Sequence, residues 1–234
     1  MSIQTIKLTL LLLLAGSLVA APSARADRSP IMKALLHNDG EGFTPPAENK
    51  ALQALLAQHP ALTFFEACGV GDTAEIARQL KRDPKLATAW TEFGASALHL
   101  AAFSGVPGAV QLLLDRGAEI NARARNKFKN TPLQTALLAG QLATAKLLLE
   151  RGADPLVRQA GGFTPLQEAA LLGRRDLVDL FLGAGAEINS RTDDGRTAVT
   201  EALRGKHPEL ADYLRSKGGH GAEITADLMA PPKE

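Results

Sequence analysis

A single cysteine, Cys68, stands in 234 residues. The chain can therefore form no internal disulfide and must hold itself together by packing. Aromatic residues are scarce at 4%, with eight Phe, one Trp and one Tyr, so the position of each Phe is informative. There is little excess charge of either sign, 26 basic residues against 25 acidic. A near-neutral chain offers no electrostatic reason to expect binding to nucleic acid or to an anionic membrane. The five histidines, His37, His59, His99, His207 and His220, do not stand at metal-ligand spacing with Cys68 or with one another. The chain has no Walker loop, no dinucleotide fingerprint, no Gly-x-Ser-x-Gly and no His-Glu-x-x-His. Asp193-Asp194 in "SRTDDGRT" is a paired carboxylate, but it precedes Gly195 between two arginines and reads as a solvated turn. No catalytic residue, cofactor or metal is expected.

What is present begins with a targeting signal. Residues 1–26, "MSIQTIKLTLLLLLAGSLVAAPSARA", carry Lys7, an apolar run from Leu8 to Ala21, and small residues at Ala24 and Ala26. The run is short for a membrane span. Cleavage after Ala26 is expected, leaving no stable membrane anchor. It removes Lys7 and Arg25 and no acid, so 26 − 2 = 24 basic residues remain against 25 acidic.

The rest of the chain repeats. Ser96, Thr131, Thr164 and Thr197 are spaced 35, 33 and 33 apart, and Gly117, Gly152, Gly185 and Gly218 give the same spacings. Two independent markers that agree indicate an internal repeat. Each unit reads as two helices and a hairpin loop. Thr131-Pro132 and Thr164-Pro165 sit at a helix start, where the hydroxyl caps a free amide and Pro is preorganised. The first helix ends at Gly105, Gly140 or Gly173. A second follows in "GAVQLLLDRG", "LATAKLLLERG" and "RDLVDLFLGAG", with Leu and Val at helical spacing. One such unit cannot bury its own apolar face, so the units must stack.

These residues resemble the ankyrin repeat. The pattern G-x-T-P-L-H-x-A-A-x-x-G, then L-L-L-x-x-G-A-x-x-N, is matched in "GASALHLAAFSG…LLLDRGAEINA" and "GFTPLQEAALLG…FLGAGAEINS". Departures are local. Gln134 and Gln167 replace the motif His, which survives as His99. Ala198-Val199 replaces Pro-Leu, and Lys206 stands where Gly is expected. The resemblance implies an all-α repeat solenoid, an ankyrin stack of about five repeats over 61–92, 93–127, 128–160, 161–193 and 194–220. A helical N-terminal cap or degenerate repeat is expected at 27–60, and a mobile tail at 221–234. Cys68 falls on a small, buried position of a first helix.

The resemblance also implies that certain positions line a concave face and touch partners without being needed by the fold. Phe93, Phe103, Phe128, Leu138, Phe163, Leu171 and Leu172 occupy such positions, and an exposed apolar stripe of this kind marks an interaction site. The loop "NARARNKFKN" adds Arg123, Arg125, Lys127 and Lys129, which would steer a partner with an acidic patch. Four charges on a neutral chain are too few to argue for nucleic acid. The sequence thus suggests a non-enzymatic exported monomer, periplasmic before secreted, that binds another protein as a scaffold or accessory factor. The rival readings are an immunity protein or inhibitor against an envelope-targeting toxin, and a secreted effector acting on host proteins.

Overall fold

The computed structural model describes residues 49–58 and 61–221, together with Pro30 and Ala34. The expected signal peptide, most of the segment 27–48 and the tail beyond residue 221 lie outside the described residues. Those described form eleven α-helices and two short 3₁₀ turns, with no strand. They fall into two compact units, one ending at Ala153 and one beginning at Asp154.

The N-terminal unit contains α1 (Lys50–Leu56), α2 (Phe64–Val70), α3 (Thr73–Arg82), α4 (Ala97–Ser104), α5 (Pro107–Asp115), α6 (Pro132–Leu138) and α7 (Leu142–Glu150). The first helices α2, α4 and α6 pack side by side, and each carries its second helix, α3, α5 or α7, against its flank. The first helices carry small residues and are mostly buried, α4 and α6 over their whole length. In α4 every residue is buried, Ala97, Ala101 and Ala102 along with Leu98 and Leu100. Small side chains let neighbouring axes approach closely. The second helices bury one stripe only, as α5 does with Ala109, Val110 and Leu113. That difference follows from their positions: α4 has neighbours on both sides, whereas α5 has an outer face in water. Cys68 is one of the small buried residues of α2, and its burial pushes the thiol far up from its ordinary value. It is an inert packing residue. Before α2, α1 lays Leu52 on Ala34, with Leu55, Leu56, Leu62 and Val70 packed around them. Asn49 caps α1 and donates from Nδ2 to the Ala34 carbonyl at 2.9 Å.

The C-terminal unit contains α8 (Pro165–Leu171), α9 (Arg175–Gly183), α10 (Ala198–Arg204) and α11 (Pro208–Ser216). The first helices α8 and α10 lie against each other, and α9 and α11 flank them. Phe181, Leu177 and Val178 of α9 and Leu210, Ala211 and Leu214 of α11 supply the buried stripes. Burying a Leu, Val or Phe contributes roughly 1.5–3 kcal/mol, so these stripes hold the second helices in place.

First helices end in a left-handed residue. Gly105 takes φ 76° after α4, and the equivalent residue after α10 is Lys206 at φ 64°. A Cβ in that region costs about 1 kcal/mol. The departure at Lys206 is therefore a strained cap, and its side chain is exposed. Lys206→Gly is expected to raise the urea midpoint by the equivalent of about 1 kcal/mol with an unchanged m-value. An unchanged midpoint would show that the strain is relieved in another way.

Candidate functional site

The site is built on the first turn of each first helix. Ser96 caps α4, and its backbone N–H donates to His99 Nδ1 at 3.2 Å while its hydroxyl lies 2.7 Å from the same atom. Nδ1 is thus the acceptor, and the Nε2–H donates 3.0 Å to the carbonyl of Asn130 at the base of the next loop. Where Gln stands in place of His, the amide repeats the arrangement. Gln134 Oε1 accepts from the Thr131 N–H at 3.0 Å. Gln167 Oε1 accepts from the Thr164 N–H at 2.9 Å, and its Nε2 donates to the carbonyls of Ser190 and Arg196 at 2.9 and 3.0 Å. The replacement of the motif His is therefore conservative in hydrogen bonding, and it removes a group that can take up a proton in acid. Glu66 completes the capping box of α2, with its Oε2 accepting from the Thr63 N–H at 2.7 Å.

These locks fix two hairpin loops in the N-terminal unit. In the first, Trp90 pairs antiparallel with Ser96, and the Thr91 N–H donates to the Ala95 carbonyl at 2.8 Å. In the second, the Ala124 N–H donates to the Asn130 carbonyl at 2.9 Å. Asn126 Oδ1 closes its tip by accepting from the N–H groups of Phe128 and Lys129 at 3.0 and 3.3 Å. The loops are joined by the Arg125 N–H, which donates 2.7 Å to the Gly94 carbonyl. Gly94 has φ 77°, and a Cβ there would lie 2.7 Å from the Arg125 carbonyl oxygen, so the approach requires Gly.

Arg123, Arg125, Lys127 and Lys129 are all exposed, and Phe93 and Phe128 are half-buried beside them. The Arg125 guanidinium stacks 4.0 Å above the Trp90 ring, and Lys127 Nζ lies 5.1 Å from the Phe128 ring centre. Trp90 is the residue that sequence reasoning missed. As the one Trp, three residues before Phe93, it was visible as an oddity, but its place under Arg125 depends on the two loops meeting.

Three expected contact residues are corrected. Phe103 is 4% exposed, Leu138 6% and Leu171 2%, so none offers a surface. Each sits near the C-terminal end of a first helix, and its side chain joins the core. Removing Phe103 would open a core cavity at a cost of about 3–5 kcal/mol. Phe163 and Leu172, in the C-terminal unit, remain half-buried. The Arg196 guanidinium lies 6.0 Å from the Phe163 ring centre.

The C-terminal unit also carries two buried acids at equivalent positions, 201 − 168 = 33 residues apart. Glu201 is fully buried and held by Arg204 at 2.7 Å and Arg196 at 3.3 Å. Burial raises its carboxyl above the ordinary range, with the two arginines working against that rise. Glu168 receives only the Gln159 amide, at 3.0 Å on Oε1, and Oε2 has no partner. Burial pushes its carboxyl well above the usual range, which favours the neutral form. Some loss of hydration works to raise the exposed Asp194, but hydrogen bonds from Thr192 and Arg196 bring it below the ordinary value. It serves the turn. Among the described residues no group of three or more His, Cys, Asp or Glu could hold a metal ion. No described helix is long and apolar enough to cross a membrane.

Helix pairs joined by hairpin loops, with a capping lock at each first turn, define a repeat protein. Comparison with known proteins agrees. Ankyrin repeats (3 copies) match residues 64–159, and Ankyrin repeats (many copies) match residues 168–215. The chain belongs to the ankyrin-repeat family. It is similar to a transient receptor potential cation channel subfamily A member 1 homolog of Caenorhabditis elegans, 41% identical over 83 residues, which are 36% of this chain and 7% of that protein. It is also similar to the ADP-ribosylation factor GTPase-activating protein AGD2 of Arabidopsis thaliana, 44% identical over 71 residues, 30% of this chain and 9% of that one. A putative ankyrin repeat protein of Rickettsia bellii (strain RML369-C) is 40% identical over 67 residues, 28% of this chain and 27% of its own length. This chain thus spans a small part of each relative. Ankyrin repeats imply a module of protein–protein interaction.

Two buried groups give opposite pH dependences. Burial lowers His99 from 6.5 to about 4, against the Asn130 hydrogen bond, which works to raise it. Its contribution is present above about pH 6.5 and is lost as pH falls through about 4, by about 3 kcal/mol when complete. His99→Gln, which copies the arrangement at Gln167, is expected to keep the lock and remove that part of the acid slope in thermal melts. Glu168 is raised, so its neutral form is favoured by folding, and the stability it contributes falls as pH rises above the ordinary carboxylate range. Glu168→Gln is expected to melt higher than the parent at pH 7, with the gain vanishing in acid. A variant no more stable at pH 7 would show that the carboxylate finds compensation there.

Proposed function

We propose that this chain is an exported, non-enzymatic interaction protein, and that its N-terminal unit grips a protein partner with the paired hairpin loops around Trp90 and Phe128. The observation that carries the reading is the Arg125–Trp90 stack, which holds exposed cations and half-buried rings in one fixed patch. Aromatic residues and arginine are the side chains enriched at binding hot spots. Phe93, Arg123, Lys127, Phe128 and Lys129 complete that patch. In the C-terminal unit Phe163 and Leu172 are half-buried and offer further contact positions. Export rests on residues 1–26, whose apolar run and small residues fit a cleaved signal. The compartment that fits best is the bacterial periplasm, with secretion second, and the role is that of a scaffold or accessory factor acting as a monomer.

The test expresses the full chain in a bacterial host and recovers it from the envelope. Its mass should begin at Asp27, and a chain still beginning at Met1 would overturn export. The recovered protein, and a Phe128→Ser variant, are then used to capture partners from periplasmic extract. The variant should keep its melting temperature and lose the captured protein, because Phe128 is half-exposed and contributes contact area rather than core. Equal capture by both would remove the hairpin patch from the interface.

A further inference from the structure

The second hairpin loop alternates. Ala122, Ala124 and Asn130 are buried, while Arg123, Arg125, Lys127 and Lys129 between them are exposed. This period-two pattern brings four cations to the outside of one short loop. The neighbouring tip adds one acid, Glu92. The loop around Asp193 and Asp194 shows the contrast, since it carries two acids beside Arg191 and Arg196 and pairs Arg196 with Asp194 at 2.9 Å.

Several other arginines among the described residues find a carboxylate. Arg78 is paired with Glu75, Arg151 with Asp115, Arg174 with Asp176 and Arg204 with Glu201, at 2.6–3.0 Å. Arg125, Lys127 and Lys129 are in no such pair among the described residues. The cationic groups of Arg125 and Lys127 meet rings instead, at Trp90 and Phe128. A guanidinium over a ring spends none of its N–H groups on an acid, and its planar fork matches a carboxylate bidentately. The hydrogen bond from Arg125 to Gly94 and the closed turn at Asn126 hold the loop in one shape. Little ordering entropy would then oppose binding.

We infer that the hairpin patch, on the protein-binding reading above, takes an acidic segment of its partner: an extended peptide whose carboxylates meet Arg125, Lys127 and Lys129 while an apolar side chain between them rests on Phe128. Charge complementarity carries this assignment. A nucleic acid or an anionic bilayer needs a broader basic field than one loop on a near-neutral chain provides. The rings beside the cations suit a peptide that alternates acidic and apolar side chains.

The experiment measures fluorescence anisotropy of a labelled peptide alternating Glu with Leu and Phe, and of its Glu-to-Gln counterpart, on the full chain. A Lys127→Glu/Lys129→Glu variant is compared, because both side chains are exposed and the core is untouched. The acidic peptide should bind, weaken as salt is raised, and lose about tenfold or more in affinity on charge reversal, while the Gln peptide should not bind. No binding of the acidic peptide, equal binding of both peptides, or an unchanged affinity in the variant overturns the inference. So does tighter binding of a labelled oligonucleotide or of phosphatidylserine vesicles. The same variant in the capture experiment separates the two claims. A partner lost by Phe128→Ser but retained after charge reversal leaves the protein-binding reading standing and removes the acidic segment.

Discussion

The structure depends on one repeated lock, in which the third residue of a first helix reaches back to its cap and forward to the next loop. His99 does this between Ser96 and Asn130. Gln167 does it between Thr164 and the carbonyls of Ser190 and Arg196. A helix start leaves amides unpaired, and a loop beside it leaves carbonyls unpaired. One side chain with both an acceptor and a donor satisfies the two at once. Without it, the helix ends and the hairpin bases would carry buried polar groups with no partner. The lock thus couples a local cap to the placement of the following repeat, and stacking of small-sided first helices supplies the rest of the stability.

That coupling explains how an interaction patch can exist without a pocket. The hairpin that carries Arg125, Lys127 and Phe128 is held at its base by Asn130, which His99 ties down. It is held at its tip by Asn126 and at its side by Gly94. Arg125, Lys127 and Lys129 therefore stand on a loop held by its backbone, and they pair with no acid among the described residues. The buried acids of the C-terminal unit follow another logic. Glu201 is paired with arginines of its own repeat, while burial without a cation raises the carboxyl of Glu168.

Much of this was legible in the residues. The period from Ser96 to Thr197, the caps and the glycines after the helices all read directly as an ankyrin stack, because each is a short-range requirement of the backbone. The exposed basic loop was legible too, since alternation places every second side chain outward. Phe103, Leu138 and Leu171 were not. They stand on positions that the repeat leaves free in general, and whether such a residue is covered depends on how its neighbours close over it. Trp90 escaped notice for the same reason, since its partner Arg125 belongs to the next repeat.

The sequence by itself determined the repeat, its helix pairs, the capping chemistry at each start and the charge of the second hairpin. All of these are set by contacts within a few residues or by a fixed period. Only the tertiary structure decided which apolar side chains remain at the surface, which acids are buried, and that Arg125 lies on Trp90. Those outcomes depend on the distance between segments about thirty residues apart, and packing, not local pattern, sets that distance.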